Sequence, residues 1–376
     1  MRENLLDKHL LCLVGTNPLP VYVACMSCKD EFSQGTLIHT DTPSIRENAA
    51  NLKEELAKQG LSYCTATIAR AEPDEIEATM RSLVKDYVQE GIKHLELNYT
   101  GGTKAMAVHC WSALREEAEK EGTSFTVSAS YLDSKPHRII RHQGNTTQTA
   151  IRDARRNCPI SLDQLSRLHK CRLEPREMNR EKFVALSYKL GQYYLRQNAG
   201  ETEWDKAVYD EALQAEMDRW EHDSPKDKMM DKWLEGYTLK HLSEAFEELQ
   251  ALGFSCESHG STRFYKGKAE KSAELDVVGI VGYQLIIFSC STTKSEKDIK
   301  HKGFEAITRV RQLGGDESRA VVISLLNPTR TDAVEKDLMQ DIGSPGSPLE
   351  IWDVERLPED RFKEHLSRYL RRLSRI

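Results

Sequence analysis

Apolar and polar positions between residues 9 and 143 follow two alternating rhythms. Short strand-like segments, apolar throughout or alternating apolar with polar, at 9–14, 36–40, 61–68 and 94–99 predict strands. Between them, apolar residues recur every three or four positions over 44–59, over 73–89 and after Gly102, which predicts helices. Further strands at 125–132 and 138–142 complete the series. Alternation of this kind predicts an α/β fold, a parallel sheet covered on both faces, with ligands bound at the carboxyl ends of its strands. From 145 to 223 the apolar positions, among them Phe183, Leu186, Leu190 and Tyr193, keep helical spacing, and Ser224-Pro225-Lys226-Asp227-Lys228 reads as a boundary. A second α/β pattern follows, with a long helix over 231–252 and strands at 274–280, 284–289 and 320–325. The expected organisation is a first domain over 1–145, a helical connector over 146–224 and a second domain over 225–376.

Composition narrows the class. With 376 residues, 39% of them hydrophobic, the chain is long enough for two or three domains. No run of about 18 apolar residues and no basic-then-apolar start occurs, so a soluble, cytoplasmic protein with no membrane partner is expected. The nine cysteines show no paired zinc spacing, and the lone Cys25-x-x-Cys28 reads as packing. A formal charge of −6 excludes blanket affinity for nucleic acid and leaves two local basic stretches, 294–311 and 356–375. His109 and Trp111 sit inside an apolar helix and read as core residues.

The strand-to-helix junction Leu97-Glu-Leu-Asn-Tyr-Thr-Gly-Gly-Thr-Lys-Ala-Met106 has the character of a phosphate cradle. Paired glycines let backbone N–H groups approach an anion, the following helix start adds partial positive charge, and Asn98, Thr100, Thr103 and Lys104 offer polar side chains. The spacing fits neither a P-loop nor the GxGxxG dinucleotide fingerprint. Two more loops, Leu13-Val-Gly-Thr-Asn-Pro-Leu-Pro20 and Ile38-His-Thr-Asp-Thr42, close strands on the same edge. The three together resemble the CARF domain, the CRISPR-associated Rossmann fold that senses cyclic oligoadenylate. The resemblance implies that Gly15, Thr16, Asn17, Thr40, Asn98, Thr100, Gly101, Gly102, Thr103, Lys104 and Met106 form the ligand site. It also implies an isologous homodimer bridged by one ring, with cyclic tetra-adenylate the expected ring and cyclic hexa-adenylate the lesser alternative.

In the second domain, Lys232-Trp-Leu-Glu235 on a helix, Ala273-Glu-Leu-Asp276-Val-Val on a strand and Leu285-Ile-Ile-Phe-Ser-Cys-Ser291 on its neighbour resemble the PD-(D/E)xK restriction-endonuclease-like core. The resemblance implies Mg²⁺ or Mn²⁺ held by Asp276 and Glu235, with the Ser289 hydroxyl and the Cys290 carbonyl as further ligands. Glu274 shares the strand face of Asp276. Serines stand at 289 and 291, where the family carries an acid and a lysine. Either a relocated lysine, Lys294, supplies the missing charge as a catalytic residue, or catalysis is weakened. The expectation is a type III CRISPR accessory effector whose ring-activated nuclease cuts RNA or DNA; the alternative is an inactive receptor that regulates a partner or sequesters the ring. Cleavage of the ring by the CARF domain itself is a third reading, for which no acid or base is evident.

Overall fold

A computed structural model describes residues 7–134, 136–144, 146–175, 180–199, 226–266, 273–342 and 348–374. The chain divides into two compact units, Met1–Cys171 and Arg172–Ile376.

The first unit is built on a seven-stranded sheet, β1 (Lys8–Leu13), β2 (Gln34–Thr40), β3 (Ser62–Ile68), β4 (His94–Asn98), β5 (Thr126–Asp133), β6 (Arg138–Gln143) and β7 (Thr146–Ile151), in the spatial order β3-β2-β1-β4-β5-β6-β7. The strands from β3 to β5 run parallel, and β6 and β7 turn back antiparallel. The order reverses between β1 and β4, and the crevice at their carboxyl ends is where such sheets bind ligands. Helices α1 (Leu19–Ser27), α2 (Pro43–Lys58), α3 (Pro73–Gln89) and α4 (Lys104–Ala118) make the crossovers. Ile76, Met80, Val84 and Tyr87 of α3 fall on one face and pack with Met106, Cys110, Ala113 and Leu114 of α4 over Leu11, Leu13, Leu95 and Leu97. Short helices α5 (Ala154–Asn157) and α6 (Leu162–Leu168) follow, the second started by a capping box between Ser161 and Gln164.

The second unit has a six-stranded sheet of β8 (Cys171–Pro175), β9 (Cys256–Lys266), β10 (Ala273–Val281), β11 (Gln284–Ser291), β12 (Arg319–Ser324) and β13 (Leu349–Trp352), ordered β13-β12-β11-β10-β9-β8. The strands β9, β10 and β11 form an antiparallel meander, and β12 and β13 join parallel to β11. Helices α7 (Arg180–Ala199), α8 (Lys226–Ala251), α9 (Glu296–Gly314), α10 (Pro328–Ile342) and α11 (Glu359–Ser374) surround it. Trp233, Tyr237, Leu242 and Phe246 of α8 share a core with Phe288, Trp352 and Phe362. Gly236 sets the rotation of α8, because a Cβ there would lie 2.2 Å from the Ser187 hydroxyl of α7.

The span 146–224 is not simply a helical connector. Its first residues form β7 on the first sheet, β8 is the edge strand of the second, and α7 packs on α8; residues 201–225, with the start of the expected boundary, lie outside the described residues. The strand β7 (TTQTAI) is polar and mostly exposed, so it carries no apolar rhythm to announce a strand. Cys25 and Cys28 are buried, and burial pushes the Cys28 thiol well up, which fits a packing role. No described helix is long and apolar enough to cross a membrane.

Candidate functional site

Two sites emerge, one on each unit. At the switch point of the first sheet, the loops after β1 and β4 close against each other because three glycines permit it. A Cβ on Gly101 would lie 2.3 Å from the Leu13 carbonyl, one on Gly15 3.0 Å from the Gly102 nitrogen, and Gly102 has φ +76° with its Cβ position 2.9 Å from the Leu13 Cβ. Thr103 caps α4, its hydroxyl accepting the Met106 N–H at 3.1 Å and donating to the Arg70 carbonyl at 3.3 Å. The result is a pocket of about 210 Å³ lined by Gly15, Thr16, Thr40, Gly102, Thr103 and Met106. Val14, Thr42, Ser44, Ile45 and Arg70 complete its lining. Both α2 and α4 begin beside it, so two helix N-termini favour negative charge there.

The other expected ligand residues build the loops. Asn98 is buried, its Oδ1 accepting the Thr100 N–H at 3.2 Å while its Nδ2 donates to Ser130 Oγ at 3.1 Å. The Thr100 hydroxyl accepts the Leu132 N–H at 2.8 Å, and Asn17 Oδ1 accepts the Leu19 N–H at 2.9 Å. Lys104 is exposed in the first turn of α4. Sequence reasoning missed Arg70, Thr42, Ser44 and Asn48. Asn48 Nδ2 clamps the first loop by donating to the Gly15 and Thr16 carbonyls at 3.2 and 3.0 Å. Of these, only Thr42 lies in a loop that the sequence pattern marks, Ile38–Thr42. His109 is half-buried and bound to Glu77 at 3.0 Å.

On the second unit, Asp276 of β10 faces the end of β11. Its Oδ2 accepts the Cys290 N–H at 2.8 Å and the Ser289 hydroxyl at 3.3 Å, and meets Lys302 Nζ at 3.5 Å. Lys302 Nζ also donates to the Cys290 carbonyl at 2.8 Å. The lysine brought to Asp276 is therefore Lys302 of α9, whereas Lys294 is exposed before that helix, its carbonyl bound by Arg330. A lysine counted along the chain from β11 lands on the turn; the helix folds back and presents the later residue.

Glu235 of α8 is buried, and burial together with the Asp276 charge raises its carboxyl pKa to about 7. Lys232 Nζ bridges Glu235 Oε1 at 3.2 Å and Glu274 Oε1 at 3.1 Å, and the Ser261 hydroxyl donates to Glu274 at 2.6 Å. Burial works against the Lys232 ammonium, but the two carboxylates outweigh it and raise its pKa. Glu235 Oε2 is buried with no hydrogen-bond partner among the described residues. Hard oxygen donors from Asp276, Glu235 and the Cys290 carbonyl fit a divalent cation. They are two carboxylates and a carbonyl, and among the described residues no three His, Cys, Asp or Glu side chains gather as a metal site.

The basic stretches separate differently. In 294–311, Lys300 is paired with Asp337 and Asp341 and Arg309 with Glu305. In the tail, Arg368, Arg371 and Arg372 pair with Glu364, Glu248 and Glu350.

The two α/β units, the first carrying the loop cradle and the second the carboxylate and lysine cluster, have a fold shared with solved structures of known proteins. Protein VC1899 from Vibrio cholerae superposes with a TM-score of 0.70 at 14% identity, over 98% of this chain and 99% of that one. Can2 from Sulfobacillus thermosulfidooxidans, solved in complex with cyclic tetra-adenylate, gives 0.63 at 14% identity over 95% and 98% of the two chains. A type III CRISPR defence DNA nuclease activated by cyclic oligoadenylate gives 0.55 at 17% identity, covering 85% of this chain but only 45% of that one. No protein-family profile and no curated protein sequence matches the chain.

Proposed function

We propose that the chain is a cyclic-oligoadenylate-gated, metal-dependent nuclease of type III CRISPR defence, acting as a homodimer. The observation that carries this reading is Lys302 Nζ 3.5 Å from Asp276 Oδ2: it supports an acid and lysine paired as in a PD-(D/E)xK centre, with Lys302 in place of the cation that Ser291 of β11 does not supply. The cyclic tetra-adenylate bound to Can2 and the cyclic oligoadenylate that activates the DNA nuclease support a cyclic oligoadenylate here, with cyclic tetra-adenylate the first choice. In the cradle, the ring phosphates would meet the amides of Gly101 to Thr103 at the start of α4, with Arg70 and Lys104 as counter-charges.

Asp276, Glu235, Ser289 and the Cys290 carbonyl would hold Mg²⁺ or Mn²⁺, which when bound polarises the phosphate and acidifies a water. Glu235 Oε2, without a hydrogen-bond partner among the described residues, would ligate the ion or orient that water. Lys302, beside Asp276, would supply positive charge to a scissile phosphate held at the ion. Pairing of two copies is supported by α4 itself, whose Val108 is 62% exposed beside a groove of about 580 Å³ that also includes Tyr99 and Trp111. The test is ring-stimulated cleavage of labelled RNA and DNA. Lys302→Ala should lose at least roughly 100-fold in rate and Lys294→Ala less than about twofold. The opposite ranking would restore Lys294 as the catalytic lysine; binding of the ring with no cutting at all would make the chain a receptor.

A further inference from the structure

Lys302, the candidate catalytic lysine, contacts two oxygens at once. Its Nζ sits 2.8 Å from the Cys290 carbonyl and 3.5 Å from Asp276 Oδ2, two of the oxygens that the metal reading assigns to the ion. The same Asp276 oxygen is fixed by the Cys290 N–H and the Ser289 hydroxyl, so it has little freedom to present a different lone pair. Across the site, Lys232 holds Glu235 and Glu274 in the same manner, at 3.2 and 3.1 Å. Lys232 thus compensates two neighbouring carboxylates and Lys302 the single carboxylate of Asp276, charges that would be costly to leave unpaired where side chains are largely buried.

A divalent ion needs those oxygens at about 2.0–2.4 Å, and an ammonium bonded to the same two oxygens fills the approach to them. The guest and the lysine cannot both occupy that position, and two cations at such separation repel strongly. We propose that Lys302 is a displaceable counter-ion of the metal site: it holds Asp276 and the Cys290 carbonyl in register while no metal is present, and a divalent ion must move it aside to bind. The displaced ammonium remains tethered to α9 beside the ion, free to take a substrate phosphate. Metal entry and arming of the lysine are then one event. Unlike a lysine on the strand itself, one that reaches in from a helix can swing out without moving either ligand.

This inference rests on the metal-dependent nuclease reading, and the experiment separates the two. Mn²⁺ binding to the full-length protein is measured by titration calorimetry, without nucleic acid, for wild type, Lys302→Met and Asp276→Asn. Methionine matches the four-atom apolar stem of lysine and lacks the ammonium. Competition predicts that Lys302→Met binds Mn²⁺ more tightly, by roughly tenfold, while Asp276→Asn loses binding. Equal or weaker affinity in Lys302→Met, with Asp276→Asn still defective, would overturn the counter-ion role and leave the nuclease reading standing. Mn²⁺ binding that is absent from wild type and Lys302→Met alike, in protein whose melting transition is intact, would overturn both.

Discussion

Glu235 shows how far one residue's ionisation depends on its surroundings. Burial and the charge of Asp276 raise its pKa from 4.5 to about 7, so the metal-free native state holds a proton that the unfolded chain releases at lower pH. Between these values the native state binds more protons than the unfolded one, so stability is greatest below the unfolded pKa and falls as pH rises through about 7. Glu235→Gln removes the ionisation and keeps the shape. In metal-free protein at about pH 8 the variant should melt several degrees higher than wild type, with the difference vanishing near pH 4. A difference that persists unchanged at low pH would mean the carboxyl is not the source. The same replacement should weaken Mn²⁺ binding, since an amide is a poorer ligand than a carboxylate.

At the scale of elements, the loop between β4 and α4 is the part most tightly constrained by backbone. Gly102 combines positive φ with a Cβ position 2.9 Å from Leu13. Gly102→Ala should cost about 1–3 kcal/mol and lower ring affinity at least tenfold, read by thermal melting and by binding of labelled cyclic tetra-adenylate. An alanine variant with wild-type affinity would show that this loop does not shape the ligand site. Much of this element was legible in the sequence, since β4 (HLELN) alternates apolar with polar residues and the Thr-Gly-Gly-Thr junction is local chemistry. The element-level errors each have a physical cause. The strand β7 is polar and exposed and so lacks an apolar rhythm although it pairs with the adjacent β6, the partner of β8 is the distant β9, and Lys302 reaches Asp276 only through the return of α9, which spacing along the chain does not encode. Likewise Asn98 and Thr100, read as ligand contacts by residue type, spend their polar atoms on Ser130 and Leu132 of β5, a neighbour that pattern reading does not specify.

For the molecule as a whole, the account requires that a ligand on one unit alter chemistry on the other. A ring can do so only by binding the active arrangement more tightly than the resting one, and a coupling of 1–3 kcal/mol corresponds to roughly 5–150-fold stimulation. A cyclic ligand with twofold symmetry matches an isologous pair of cradles. Val108→Glu places charge on the exposed apolar part of α4. Sedimentation should then show a shift from dimer to monomer, together with weaker ring binding; a variant that stays dimeric would move the pairing surface elsewhere. The most direct measurement is cleavage of labelled single-stranded RNA, single-stranded DNA and supercoiled plasmid with Mn²⁺ or Mg²⁺, with and without cyclic tetra-adenylate, beside Asp276→Ala. The account predicts cutting of at least one substrate that needs the ring and the metal and disappears in the variant; cutting that ignores the ring, or that survives loss of Asp276, would contradict it.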